Sequence, residues 1–147
     1  MLISICIPTY DRPEKLLNCI NSLSLQTKKN FEVCISDNCS KVNIKKLIQP
    51  FKKKLNIKFK KNNKNLGFAV NLLKVSKMAS GEFIWFLGDD DLLIPSAIQK
   101  LTQIIEANYS ADFFWVNSFY LDALYLKKFK EPFNTKFLPK KMKPHSP

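Results

Sequence analysis

Apolar positions along the chain fall into short blocks that alternate between two periods. Leu2–Ile7, apolar except at Ser4, is a short run closed by Pro8, the pattern of a strand buried on both faces. Pro13 then opens a helix with Glu14 in its first turn; Leu16, Leu17, Ile20 and Leu23 keep one stripe to about Gln26, and Leu25 falls off it. Phe31–Ser36 predicts a second strand, ended by the turn set Asp37-Asn38-Cys39-Ser40. Ile44, Leu47, Ile48 and Phe51 space as a short amphipathic helix that Pro50 should end or distort. Leu55–Phe59 alternates as a third strand, and Lys60–Asn65 is a polar loop. Leu66–Met78 predicts a helix stopped at Ser80-Gly81. Glu82–Leu87 is the strongest strand and runs straight into Gly88-Asp89-Asp90-Asp91. Pro95 opens a helix with Ile98, Leu101, Ile104 and Ile105 on one face, and Ala111–Phe119 predicts a fifth strand.

Strands alternating with helices define an α/β fold: a mostly parallel sheet with helices on both faces. No segment repeats. The pattern holds over residues 1–126. It decays over 127–147, where four Pro and seven Lys predict a poorly ordered tail.

Composition narrows the class. The chain has 147 residues, which suits one domain with one core. Its net charge is +12, nearly all from lysine, since Arg12 is the only arginine. Base-specific nucleic-acid readers lean on arginine's planar fork, so no specific nucleic-acid partner is expected. The lysine runs 41–64 and 127–143 fit a solvated face, or peripheral contact with an anionic membrane. No apolar run approaches the roughly 18–20 residues that span a bilayer, and the N-terminus reads as a strand, not a signal peptide. Cys6, Cys19, Cys34 and Cys39 lack zinc-site spacing and fit reduced thiols of a cytoplasmic protein.

In an open parallel sheet, ligands bind outside the carboxyl ends of the strands. Three strand ends then form one candidate site. The first delivers Pro8, Thr9, Tyr10, Asp11 and Arg12; the second Asp37 and Asn38; the fourth Asp89, Asp90 and Asp91. Adjacent carboxylates repel one another and suit a hard divalent cation, Mg²⁺ or Mn²⁺, that also grips substrate phosphates. The other reading of the triplet is an acidic turn capping the next helix. Asp37-Asn38 fits either a cap or a reader of a base edge. Tyr10 fits either a rim aromatic or a platform for a base. Asn65-Leu66-Gly67 is either a plain helix start or a loop where Gly67 admits a ligand, with Asn71 orienting the strand ends.

The order and spacing of these pieces resemble family 2 glycosyltransferases over about residues 2–117. Pro8-Thr9-Tyr10-Asp11-Arg12 resembles that family's Pro-Thr-Tyr-Asn-Arg opening, with Asp11 where Asn is usual. Val33–Ser40 is similar to its Val-Val-Asp-Asp/Asn-Gly-Ser segment, with Cys39 in place of Gly. Asn65–Ala69, Gly81–Ile84 and Phe86–Pro95 resemble the stretch leading to and containing its D-x-D motif, although Gly88 stands where a first Asp is familiar. The resemblance implies the Rossmann-like, nucleotide-binding half of a GT-A fold. It implies a nucleoside diphosphate sugar donor held by Pro8, Thr9, Tyr10, Arg12, Asp37, Asn38, Gly67, Asn71 and Asp89. It implies Mg²⁺ or Mn²⁺ on Asp90 and Asp91, with Asp89 on the metal or the donor ribose. The expected reaction passes the sugar to an acceptor hydroxyl on a glycan or lipid-linked acceptor, in surface glycan assembly at the cytoplasmic membrane face. The family's acceptor half, with its catalytic base, has no counterpart motif here, so a catalytic base is not assigned. The rival reading is a non-catalytic nucleotide-binding fragment. An unrelated phosphoryl-transfer α/β protein would leave Pro8–Arg12 without a role, and a charge-driven nucleic-acid module would leave the acidic cleft without one.

Overall fold

The computed structural model describes residues 1–116, 118, 120–121 and 128–130. Four parallel strands form one sheet in the order β3-β2-β1-β4: β1 Ile3–Thr9, β2 Phe31–Asp37, β3 Ile57–Lys61 and β4 Phe83–Phe86. The helices between them are α1 Pro13–Ser24, α2 Ile44–Ile48 and α3 Phe68–Ser76, and α4 Ala97–Ala107 follows β4. Pro50 does distort its helix: α2 stops at Ile48 and a tighter turn, Gln49–Lys53, replaces it.

β1 and β2 are buried along almost their whole length, as central strands of a covered sheet must be. Their registers align Cys6 with Cys34 and Ile5 with Val33, so each face has its own set. On one face Cys6 and Cys34 pack with Val75 of α3, beside Leu72, Met78 and Ala79. Ile3, Ile5, Ile7, Val33 and Ile35 fill the other. Right-handed crossovers put α1 and α2 over that second face, where α1 packs on α2 and buries Leu16, Cys19, Ile20 and Leu23.

The chain steps outward from β1 to β2 to β3, then returns through α3 to β4 on the far side of β1. The carboxyl ends of β1 and β4 therefore flank a topological switch point, where open α/β sheets bind ligands. All four cysteines are free thiols. No helix among the described residues is long and apolar enough to cross a membrane.

Two expectations change. The third strand lies two residues later than the alternation suggests, at Ile57–Lys61; Leu55 is buried but precedes it. The predicted fifth strand does not form over residues 111–116 or at Ser118, where Phe113 is three-quarters exposed. An apolar run names no partner strand, and a strand exists only through its ladder. The chain divides into two compact units, residues 1–108 and 109–147. The second unit contains a short antiparallel pair, β5 Tyr120–Leu121 with β6 Lys128–Lys130. Three residues of the predicted tail thus form a strand, and the tail's remainder lies outside the described residues.

Candidate functional site

The switch-point crevice is built from three loops that hydrogen bonds lock to each other. Thr9 Oγ1, at the end of β1, donates to Asp89 Oδ2 just beyond β4 at 2.8 Å. Asp89 is 5% exposed, and its other oxygen accepts from Arg12 Nη1 at 3.3 Å. The same guanidinium nitrogen reaches Asp90 Oδ2 at 3.4 Å, where Lys15 Nζ also arrives at 3.4 Å. Arg12 and Lys15 sit three residues apart at the start of α1, so one helical turn offers both cations to the acidic loop. Lys15 is a site residue that the motifs did not single out; its spacing from Arg12 is the signal that was there to read.

The three carboxylates take different partners. Asp91 Oδ2 accepts the Gly88 N–H at 3.0 Å, closing the loop on itself. Burial raises the Asp91 carboxyl above the usual range; the Gly88 N–H opposes this, and the charges of Asp90 and Asp89 add to it. The same loop presses on α1. Cys19 Sγ lies 3.6 Å from the Gly88 carbonyl, and burial, with Asp91, Asp89 and Asp90 behind it, pushes that thiol's pKa well up. Downstream, the Gln26 amide holds the loop's exit: Nε2 donates to the Ile94 carbonyl at 3.0 Å and Oε1 accepts from the Ile98 N–H at 3.2 Å.

Among the described residues no three His, Cys, Asp or Glu side chains converge as a ready metal cage. The donor set still fits a hard cation that binds through two carboxylates and substrate oxygens. A Cβ placed on Gly88 would lie 2.9 Å from Asp91 Oδ2 and 3.1 Å from Asp90 Oδ1. Two carboxylate oxygens from neighbouring residues therefore face one spot, and only glycine leaves that spot open.

At the end of β2, Asp37 is fully buried. Its Oδ1 accepts the Ser40 N–H at 2.8 Å, while Oδ2 has no hydrogen-bond partner among the described residues and lies 3.9 Å from Lys61 Nζ. A buried carboxylate oxygen without a donor invites one. The turn after it carries Cys39 at φ 74, the left-handed region that explains why glycine suits this position. Asp11, at φ 50, occupies the same region, which Asn and Asp tolerate best; its carboxylate accepts the Lys41 N–H at 2.7 Å. Tyr10 stands at the rim, 44% exposed.

Asn38 is placed differently from a base reader. Its Nδ2 donates to Asn65 Oδ1 at 2.7 Å and to the Gly67 carbonyl at 3.3 Å; its Oδ1 accepts from the Leu66 N–H at 2.9 Å and from Asn62 Nδ2 at 3.1 Å. All four hydrogen-bonding positions of the amide are used, so Asn38 shapes the loop and offers nothing to a ligand. Asn71 is buried and joins α3 to β2: its Nδ2 donates to the Ser36 carbonyl at 2.9 Å, and its Oδ1 accepts from Ser36 Oγ at 2.7 Å and Asn62 Nδ2 at 2.9 Å. Asn62, absent from the motif reading, is the hub of this network. Gly67 has φ 79 and ψ 166, backbone space that in practice only glycine uses. Pro8 is half-buried next to the end of β1.

The family described as Glycosyl transferase family 2 matches residues 4–145. Relatives agree. The abequosyltransferase RfbV of Salmonella typhimurium is 37% identical over 111 residues, covering 73% of this chain and 33% of the relative. The poly(ribitol-phosphate) beta-N-acetylglucosaminyltransferase TarS of Staphylococcus aureus is 29% identical over 113 residues, covering 75% of this chain and 20% of that protein. The crystal structure of TarS residues 1–349 in complex with UDP-GlcNAc superposes with TM-score 0.69 at 28% identity, over 74% of this chain and 32% of that one. A mannosyltransferase of Pyrobaculum calidifontis, solved with GDP-Man and Mn²⁺, shares the fold at TM-score 0.64 and 16% identity, over 70% of this chain and 32% of that one. With its strand order, switch-point crevice and acidic loop in place, this chain belongs to glycosyl transferase family 2. It spans about a third of the length of the abequosyltransferase it matches.

Proposed function

We propose that the chain binds a nucleoside diphosphate sugar in the crevice between the ends of β1 and β4, as the donor-binding part of an enzyme that transfers the sugar to an acceptor hydroxyl. The observation that carries this reading is the Thr9–Asp89 hydrogen bond at 2.8 Å, which holds the first strand's end against the acidic loop.

In this reading the base lies against Tyr10, whose exposed ring suits stacking. Asp37 Oδ2 takes an N–H from the base edge. Asn38, Asn71 and Gly67 hold the loop that walls this pocket, and Pro8 and Thr9 form its floor. Arg12 and Lys15 turn toward the diphosphate. Asp90 and Asp91 hold Mg²⁺ or Mn²⁺, with Asp89 on the metal or the ribose. The metal, when bound, offsets charge developing on the departing diphosphate. None of these residues is placed to take the acceptor's proton, so a general base is assigned to no residue here. The name of the relative TarS supports a polymer acceptor; we extend this to surface glycan assembly on the cytoplasmic side, with the lysines toward an anionic membrane.

The second reading is a donor-binding part without turnover. It is favoured by one observation: the carboxylates described at the crevice, Asp11, Asp37, Asp89, Asp90 and Asp91, are each tied to a donor there, which leaves none free as a general base. Incubating the purified chain with UDP-, dTDP-, CDP- and GDP-sugars plus Mn²⁺ separates the two. Release of nucleoside diphosphate that Asp91→Ala abolishes supports the enzyme. Binding without release supports the second reading, and no binding of any nucleotide defeats both.

A further inference from the structure

The edge of the sheet opposite the acidic loop carries much of the positive charge. Residues 41–64 hold ten lysines and no carboxylate. Among the described residues only Lys58 and Lys61 of these ten have acidic partners, Glu32 and Asp37. Most of the others are spread along α2, the tight turn after it and β3, where water and salt screen them.

Three of them converge. Lys41, Lys45 and Lys61 line a cavity of about 260 Å³ together with Asn43, Ile44 and Phe59. Backbone bonds bring them there. The Lys41 N–H is pinned to Asp11 Oδ1 at 2.7 Å, directly after the β2 turn. Lys45 lies in the first turn of α2. Lys61 ends β3, and its Nζ donates to the Ser40 carbonyl at 2.7 Å. Asn43 uses its Oδ1 to accept the Lys46 N–H at 3.1 Å, which leaves its amide N–H groups as neutral donors.

The charge of this wall does not balance. Three lysines and no carboxylate line it; Asp37, behind Lys61 at 3.9 Å from its Nζ, offsets one of the three charges and leaves two. A phosphate monoester carries about −1.5 to −2 at neutral pH and matches that charge. Lysine serves phosphate as a point charge and needs no planar fork. The floor is apolar, from the buried Ile44 and the ring of Phe59, so it suits the carbon stem of an ester and not a bare ion. The volume lies just below the roughly 300 Å³ at which pockets begin to hold drug-sized molecules, so the stem is short.

We infer that the Lys41–Lys45–Lys61 cavity is a second ligand site, bordering the donor crevice where Lys61 meets Asp37, that binds a phosphate monoester with a small organic stem. It stands whether or not the crevice binds a nucleotide sugar. The ester is either a soluble molecule or the exposed headgroup of a monoester lipid, and the test separates these.

The probes are glycerol 3-phosphate, inorganic phosphate, and phosphatidylcholine vesicles with or without phosphatidic acid, titrated into the whole chain by calorimetry and by amide NMR. Glycerol 3-phosphate is expected to bind and to shift the amides of Ser40, Lys41 and Lys61. The double variant Lys41→Gln, Lys45→Gln should weaken it at least tenfold. Lys52→Gln, Lys53→Gln removes the same charge elsewhere and should change it less than twofold. Inorganic phosphate should bind at least tenfold more weakly. Retention on phosphatidic acid vesicles through Lys41 and Lys45 assigns a lipid source, and retention of the soluble ester alone assigns a free one; both support the site. Equal losses in the two double variants mean diffuse charge and overturn it. So does absence of binding by both soluble ester and vesicles. So does competition by UDP with Mn²⁺, which would place the phosphate in the donor crevice.

Discussion

Thr9 Oγ1 and Asp89 Oδ2, eighty residues apart in sequence, are joined by a buried 2.8 Å hydrogen bond that ties the end of β1 to the acidic loop after β4. Removing the hydroxyl leaves Asp89 with Arg12 as its remaining partner. Thr9→Val, which keeps the shape, should lower stability by about 1–3 kcal/mol, the cost of an unsatisfied buried group. Urea denaturation checks this. Nucleotide binding should fall with it, because the loop loses its anchor.

Asn38→Asp tests whether that side chain reads a ligand or holds a loop. The change turns a donor into an acceptor facing Asn65 Oδ1 and the Gly67 carbonyl. Stability should fall by about 2 kcal/mol, with the preference among UDP, CDP and GDP unaltered. A switched base preference at unchanged stability would make Asn38 a reader.

Gly67→Ala isolates backbone strain. A Cβ there meets nothing within 4 Å, yet φ is 79. The cost is therefore conformational, about 1–3 kcal/mol, and is read as a lower midpoint in chemical denaturation with the same slope.

Glu32 sets an acid limit on stability at the other end of the sheet. Burial alone would raise its pKa. Lys58, the Ser4 hydroxyl, and the N–H and hydroxyl of Ser80 overcome that and hold it at about 2. Lys58 is raised in turn, first by its bond to Glu32. A carboxylate whose folded pKa lies below its unfolded value stabilises the fold above the unfolded value, about 4.3. That contribution is lost as pH falls toward about 2. The unfolding midpoint should drop across this window, and the drop should shrink in Glu32→Gln.

Gly88→Ala addresses the acidic loop. The added Cβ would sit 2.9 Å from Asp91 Oδ2 and 3.1 Å from Asp90 Oδ1, so those carboxylates must move apart. Mn²⁺-dependent nucleotide binding should weaken at least tenfold, while binding without metal changes little. Equal weakening in both would place the effect on the fold.

Much of the frame was legible because β1, β2 and α1 are bounded by chemistry as well as pattern: Pro8, Pro13 and the Asp37 turn mark their ends. β3 lies two residues later because its span is set by the ladder to β2, which pairs Ile57–Lys61 with Val33–Asp37, a pairing no local pattern reveals. The run at 111–119 looked like a strand because apolar residues alone do not name a partner. In the candidate site, hydrogen bonds join Thr9 and Arg12 to the acidic loop and Asn38 to Gly67, but other partners were hidden. Lys15, Asn62 and Lys61 act through contacts between distant segments. Asn38 read as a ligand group because sequence shows an amide and not the four bonds that occupy it.

The central claim is that the crevice closed by Thr9 and Asp89 binds a nucleoside diphosphate with a divalent metal. Calorimetry with UDP and GDP, each with and without Mn²⁺, on the whole chain and on Asp90→Asn and Asp91→Asn, tests it most directly. The account predicts binding that strengthens with Mn²⁺ and falls at least tenfold in either variant, with thermal unfolding retained. Absence of nucleotide binding, or binding indifferent to Mn²⁺ and to both substitutions, would contradict it.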